Sequence, residues 1–232
     1  MKIVVSHLTR MQSGYMCVAG IDLNSGKHVR PVLGRRLGTE LLQSNGGVFG
    51  IGAVVDLGRT NPVGTAPELE DYQFSRENLK LVEIAPAQKF WGMIDSTSTT
   101  SLAEIFGPSL TSHGGACAVD VNAGTASLGC LTVPAGSVLE IDSWNKIRLR
   151  IDDGTFVPAL SVTDLRLYEV DQKTPRRALI ATLGDRLEDE NVLLSVGLAR
   201  AWKRPGDAEP RHWLQANNFH FESDPLGLDA FS

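Results

Sequence analysis

Short apolar runs, each closed by turn-forming residues, recur through this 232-residue chain, and that rhythm constrains its fold more than any other feature. The clearest run is Lys146–Ile151, where Lys146, Arg148 and Arg150 alternate with Ile147, Leu149 and Ile151. A period of two puts the aliphatic side chains on one face of a strand and the cations on the other. Asp152-Asp153-Gly154-Thr155 follows as a hairpin turn, with Thr155–Leu160 as the returning strand. The same grammar appears near the start, where Tyr15–Leu23 and His28–Leu33 are extended runs joined by Asn24-Ser25-Gly26-Lys27. Pro31 lacks a backbone donor, so its strand lies at an edge or ends there.

Runs at this spacing predict a mainly β protein with two small β-barrels. Lys2–Ser6, Ala53–Leu57 and the region Tyr72–Ile84 add strands to the first half, and Thr39 is placed to cap a short helix within Arg35–Leu42. Pro86–Ile94 and Ser101–Phe106 have helical apolar spacing and flank the polar stretch 95–100. Strands resume at Leu128–Val133, Val138–Asp142, Val192–Trp202 and His212–Phe221, interrupted by a helix over Pro175–Glu188. Leu165–Val170 fits a strand and a helix equally. The expected organisation is a barrel at 1–85, a helical connector at 86–112, a second barrel at 113–222 and an acidic, apolar tail at 223–232.

Composition excludes several classes. A hydrophobic content of 42% is enough for a packed core and argues against disorder. No stretch approaches the roughly 18 apolar residues of a membrane span, so no membrane partner is expected. Met1–Val5 reads as a first strand and not as a signal peptide, and a cytoplasmic protein is expected. Cys17, Cys117 and Cys130 are odd in number and far apart, which fits reduced, packed thiols better than disulfides or a zinc site. The net charge of -5 means that any binding to nucleic acid must rest on local basic clusters.

Several segments resemble the prokaryotic dual OB-containing domain family. They are Gly14–Asp22 followed by Gly26–Val32, then Val162–Arg166, then Leu194–Arg200 with His212–Gln215 after it. Their order and spacing carry the likeness over most of the chain, to about residue 222. The resemblance implies two tandem OB-like barrels, a bacterial or archaeal source, and recognition of nucleic acid or a nucleotide-like ligand. In the family an aromatic often stands where this chain has His28, which bears on any stacking there.

Two clusters carry the binding reading. The first is Lys27, His28, Arg30, Arg35 and Arg36; a guanidinium such as that of Arg30 offers a planar fork to a phosphate or base edge. The second interleaves cations and aromatics: Arg200, Trp202, Lys203, Arg204, Arg211, His212 and Trp213. Each cluster also has a plain structural reading, as strand ends and loops beside core aromatics. Thr163 and Arg166, with Ser161 and Asp164 beside them, are further candidates, although Ser, Thr and Asp also cap the next element.

Catalytic signals are weak. Cys17 has only His7 or His28 as conceivable partners, the five histidines lack metal-ligand spacing, and no phosphate loop or nucleophile elbow is present. No cofactor, no metal and no catalytic residues are expected. The leading expectation is a non-catalytic module that binds single-stranded nucleic acid or a nucleotide-like ligand. The alternatives are a protein-interaction adaptor, whose partner docks on the C-terminal tail, and an enzyme acting on nucleic acid or a nucleotide.

Overall fold

The computed structural model describes residues 1–11 and 14–227, and in it the strands form two sheets. The first is built from β1 (Lys2–Arg10), β2 (Tyr15–Asp22), β3 (His28–Val32), β4 (Leu37–Gly38), β5 (Ala53–Asp56), β6 (Asn61–Pro62), β7 (Asp71–Gln73) and β8 (Lys80–Ile84). Their order is β6-β7-β3-β2-β1-β5-β8, with β4 paired to β2. The second contains β9 (Ser98–Thr99), β10 (Thr111–His113), β11 (Ala116–Asp120), β12 (Leu128–Thr132), β13 (Val138–Ile141), β14 (Ile147–Arg150), β15 (Ala159–Val162), β16 (Val192–Leu198) and β17 (Arg211–Phe221). Its order is β13-β14-β15-β17-β16-β12-β9, and β11 joins β17 while carrying β10. Neither path returns to its first strand among the described residues, so the sheets are open where closed barrels are expected from the strand spacing.

Local chemistry explains where elements begin and end. β3 pairs with β2 through His28 and Val29, then with β7 through Arg30, Pro31 and Val32. Pro31, which has no N–H to donate, therefore stands where β3 has left β2. The helix expected within Arg35–Leu42 is only a single 3₁₀ turn at Thr39–Leu41, because Leu37 and Gly38 are drawn into pairing with Met16 and Tyr15. The strand expected from Thr155 begins only at Ala159. The Asp153 carboxylate accepts from the amides of Thr155 (2.9 Å) and Phe156 (2.7 Å) and holds that stretch as a loop. Asp164 caps a 3₁₀ turn at Leu165–Leu167 by accepting from the Arg166 amide at 3.1 Å, which settles the strand-or-helix ambiguity there.

Among the described residues, three apolar clusters hold the molecule together. One lies on the first sheet, around Ile3, Val5, Val18, Phe49 and Val55. A second lies on the second sheet and takes in Leu149, Leu160, Leu194 and Phe219, together with Leu102 and Phe106 of α2 (Leu102–Phe106) and Ile180 and Leu183 of α3 (Arg177–Asp189). The third joins the halves: Val4, Ile21 and Val54 from the first, Cys130 and Leu193 from the second, and Phe90 and Ile94 of α1 (Ala87–Asp95) between them. Strands β1 and β16 are consequently buried on both faces over nearly their whole length.

Candidate nucleic-acid interface

Each basic cluster gives some of its members to the seam between the two halves. Arg30, only 3% exposed, donates from Nε to Asp71 at 2.5 Å, and its guanidinium lies 3.7 Å from Glu68. Arg200, from the other half, reaches the same two carboxylates, Glu68 at 2.8 Å and Asp71 at 2.6 Å. His212 is buried beside them, with Nδ1 3.0 Å from the Ala199 carbonyl and 3.8 Å from Glu68. Two guanidiniums and two carboxylates thus neutralise one another across the seam between the halves. Glu70 adds to it by accepting from the Ser127 amide (2.9 Å) and hydroxyl (2.7 Å).

More polar groups line this seam. Asn218 accepts from the Leu8 amide at 2.6 Å and donates to the Leu8 carbonyl at 3.3 Å. Ser195 donates to the Ser6 carbonyl at 2.9 Å, and the His220 ring lies 3.0 Å from the Ser195 hydroxyl. His7 lies 3.1 Å from the Asn217 amide and meets the His28 ring edge-on at 5.7 Å. Burial holds His28 and His220 down to about 4. His7 is held well below its ordinary value by burial first, then by His28, His220 and Arg30. Gly197 belongs to the same seam, since a Cβ there would sit 2.5 Å from the Asn217 amide nitrogen.

The solvent-facing cations lie elsewhere. The outer face of β13, β14, β15 and β17 forms an open groove of about 580 Å³. Register builds its floor: Glu140 pairs with Arg148, Arg148 with Ser161, and Ser161 with Gln215, so one polar row crosses four strands. The alternation read in 146–151 is the cause, because Ile147 and Leu149 enter the core while Arg148 and Arg150 point outward. Arg148 donates to Asp142 at 2.9 Å and also contacts Ser161, and Arg150 donates to Glu140 at 2.8 Å. Among the described residues, five cations line the groove (Arg10, Lys146, Arg148, Arg150 and Arg204) against the two carboxylates Glu140 and Asp142. Arg10 comes from the first half; its guanidinium lies 4.1 Å over the Tyr168 ring and donates to the Gln172 carbonyl at 3.0 Å.

The aromatics of the second cluster divide in the same way. Trp213 is 2% exposed, donates its indole N–H to the Trp202 carbonyl at 3.1 Å, and is covered by the Arg204 guanidinium 3.2 Å from its centroid. Trp202 is 47% exposed and lines the groove. Lys203 is exposed in the adjoining loop, and Arg211 pairs with Asp120 at 2.9 Å. Thr163 lines the groove, though its hydroxyl is engaged by Asn217 at 3.1 Å. Arg166 is turned inward, bound to Asp164 at 2.7 Å and to the Phe219 carbonyl at 2.8 Å. In the first cluster, Lys27 is exposed in its turn, whereas both His28 ring nitrogens are buried with no hydrogen-bond partner among the described residues. Arg35 and Arg36 line a separate cleft of about 310 Å³ with Tyr15 and Glu40.

Sequence reasoning missed Arg10, Lys146, Arg148, Arg150, Tyr168 and Gln215 as groove residues. The alternation in 146–151 was the available signal for three of them; Arg10 gave none, because only the tertiary packing carries it to the other half. Burial pushes the Cys17 thiol up, with Arg30 and Arg200 opposing, which is the reverse of what an activated thiolate needs. All three cysteines are free. Among the described residues no group of three or more His, Cys, Asp or Glu is placed to hold a metal ion, and no helix is long and apolar enough to cross a membrane. Of the expected tail, Ser223 contacts Glu190 and Leu226 packs into the cluster between the halves, while residues 228–232 lie outside the described residues.

The arrangement defines a mainly β protein of two sheets with an open cationic groove on one of them. The chain belongs to the dual OB-containing domain family, whose model matches residues 1–219. No match was found among curated proteins.

Proposed function

We propose that this protein is a non-catalytic, cytoplasmic binding module of two OB-like halves, with the α1–α2 segment as their connector, and that it takes single-stranded nucleic acid in the groove of the second half. The observation that carries this reading is the row Glu140–Arg148–Ser161–Gln215, set between Arg10, Lys146 and Arg204 and bordered by the half-exposed Trp202. Cations supply phosphate contacts, the polar row offers donors and acceptors to base edges, and Trp202 offers a face for an unpaired base. A local excess of cations lets a chain of net charge -5 still attract a polyanion there.

The test is fluorescence anisotropy with labelled single-stranded DNA and RNA at low salt, followed by a salt series. Binding should weaken as salt rises, with a slope of about -0.7 in log K per phosphate contact. Lys146→Ala and Arg204→Ala should each weaken binding and make the slope shallower. Undetectable affinity at low salt would sink the reading.

A further inference from the structure

Trp144 is 80% exposed, at the tip of the β13–β14 turn. Its pedestal is well braced. Asp142 Oδ1 accepts from the amides of Trp144 and Lys146, each at 2.9 Å, and Asp142 Oδ2 accepts from Arg148 Nε at 2.9 Å. Asn145 takes the left-handed conformation at φ 59° and accepts from Arg177 at 2.5 Å. Asp142, Lys146 and Arg148 all line the groove, so the turn that presents Trp144 is also a groove wall.

Register places Trp144 and Trp202 at opposite ends. Trp202 bridges Arg211, four residues before Gln215 on β17. Ser161 and Arg148 stand level with Gln215, and β15 runs parallel to β17 while β14 runs against β15. From Arg148 the chain therefore leads back through Ile147 to the 142–146 turn, away from Trp202. With about 3.3 Å per residue along a strand and 4.8 Å between strands, the two positions are on the order of 30 Å apart.

We propose that Trp144 is a second stacking platform, and that the ligand is a strand of several nucleotides laid diagonally from Trp202 to Trp144, not a mononucleotide. This rests on the groove being the nucleic-acid site. One strand stacking at both ends and passing its phosphates along Arg148, Arg204 and Lys146 accounts for an exposed indole on a rigid turn, which solubility alone would disfavour.

The experiment compares thymidine oligomers of about four and about twelve nucleotides, lengths that bracket the site sizes of OB-type grooves. The wild type should bind the longer oligomer more tightly. Trp144→Ala should lose about tenfold on the longer oligomer and little on the shorter, and Trp144→Phe should recover most of that loss. The indole is solvent-exposed, so the variants should keep the wild-type fold, which circular dichroism checks. If Trp144→Ala binds both oligomers like the wild type while Trp202→Ala is impaired, the second platform is overturned and the groove reading stands. If the wild type binds neither oligomer, both fall together.

Discussion

The seam and the groove are both rich in arginine, yet they use it in different ways. In the seam, Arg30 and Arg200 converge on Glu68 and Asp71, and four charges cancel where the halves join. In the groove, Arg148 and Arg150 also have carboxylate partners, but Lys146 and Arg204 accompany them and the whole row faces water. Burial and distance along the chain separate Arg30 from the groove arginines: it is 3% exposed and its carboxylates lie some forty residues away, whereas Arg148 and Arg150 stay partly exposed and pair within ten residues; Arg200, 52% exposed, shares only the distant partners. A run of sequence carries neither. The comparison predicts that mutations in the seam are read out as stability and mutations in the groove as affinity.

The largest effect should come from Arg30→Ala. It leaves Glu68 and Asp71 with Arg200 as their remaining guanidinium, in a buried setting. Removing one member of a buried ion pair typically destabilises by about 3–5 kcal/mol, and the midpoint of urea unfolding should fall accordingly. Oligonucleotide affinity of the folded variant should stay at the wild-type value. Loss of affinity with stability intact would break the comparison and return Arg30 to the binding site.

Acid should act next, again on the seam alone. His28 and His220 are held down to about 4, so the folded protein keeps them neutral at pH values where an unfolded chain, titrating near 6.5, has already taken up protons. Their contribution is undiminished above pH 7, is lost as pH falls from 6.5 to about 4, and levels off below that. Each shift corresponds to about 3 kcal/mol at the acid limit. His7, facing His28, His220, Arg30 and Asn217, adds in the same direction. Urea unfolding across this range should show the fall, and His28→Phe should make it shallower, since both nitrogens of that ring are buried without partners. Among the described residues no histidine lines the groove, so an acid loss of affinity without loss of stability would contradict this division.

The fold was legible in proportion to how local its causes are. Period-two alternation located β14, the Asn-Ser-Gly-Lys turn located the β2–β3 hairpin, and apolar spacing located α1 and α3 to within two residues at either end. Arg35–Leu42 misled because Leu37 and Gly38 are claimed by β2, a partner some twenty residues away. The candidate site was half legible. Trp202 and Arg204 could be picked out because aromatic and basic residues interleave there. Arg30, Arg166 and Trp213 carry the same chemistry, yet Asp71, Asp164 and the Arg204 guanidinium take them up. Those assignments depend on residues far away in sequence, or on which way a neighbouring side chain turns.

Trp202 and Trp213 sharpen the comparison within one cluster. Trp202→Ala removes a half-exposed ring and should change stability by no more than about 0.5 kcal/mol, as for other surface substitutions. If a base stacks there, affinity for single strands should fall by about 1–3 kcal/mol. Trp213→Ala should do the converse, since that ring is buried and anchored to the Trp202 carbonyl. Urea unfolding and anisotropy on the two variants, side by side, would show whether stability and affinity separate as the burial of the two rings implies.

The smallest effect tests whether a groove arginine with a carboxylate partner still contributes to binding. Arg150 pairs with Glu140 at 2.7 Å, with 64% and 36% of the two side chains exposed. A surface pair of this kind is worth about 0–1 kcal/mol, so Arg150→Ala should barely move the unfolding midpoint. Water can replace Glu140 as a partner with little penalty, which leaves the guanidinium free to turn to a phosphate. The slope of log K against log salt should therefore become shallower by about 0.7 in Arg150→Ala, the value of one contact to a single strand. The companion variant Glu140→Gln should leave that slope unchanged and raise affinity, because it removes a negative charge from the groove without removing a phosphate contact. An unchanged slope in Arg150→Ala would mean that its ion pair, though exposed, holds it as firmly as the seam holds Arg30, and burial would no longer be what distinguishes the two arginines.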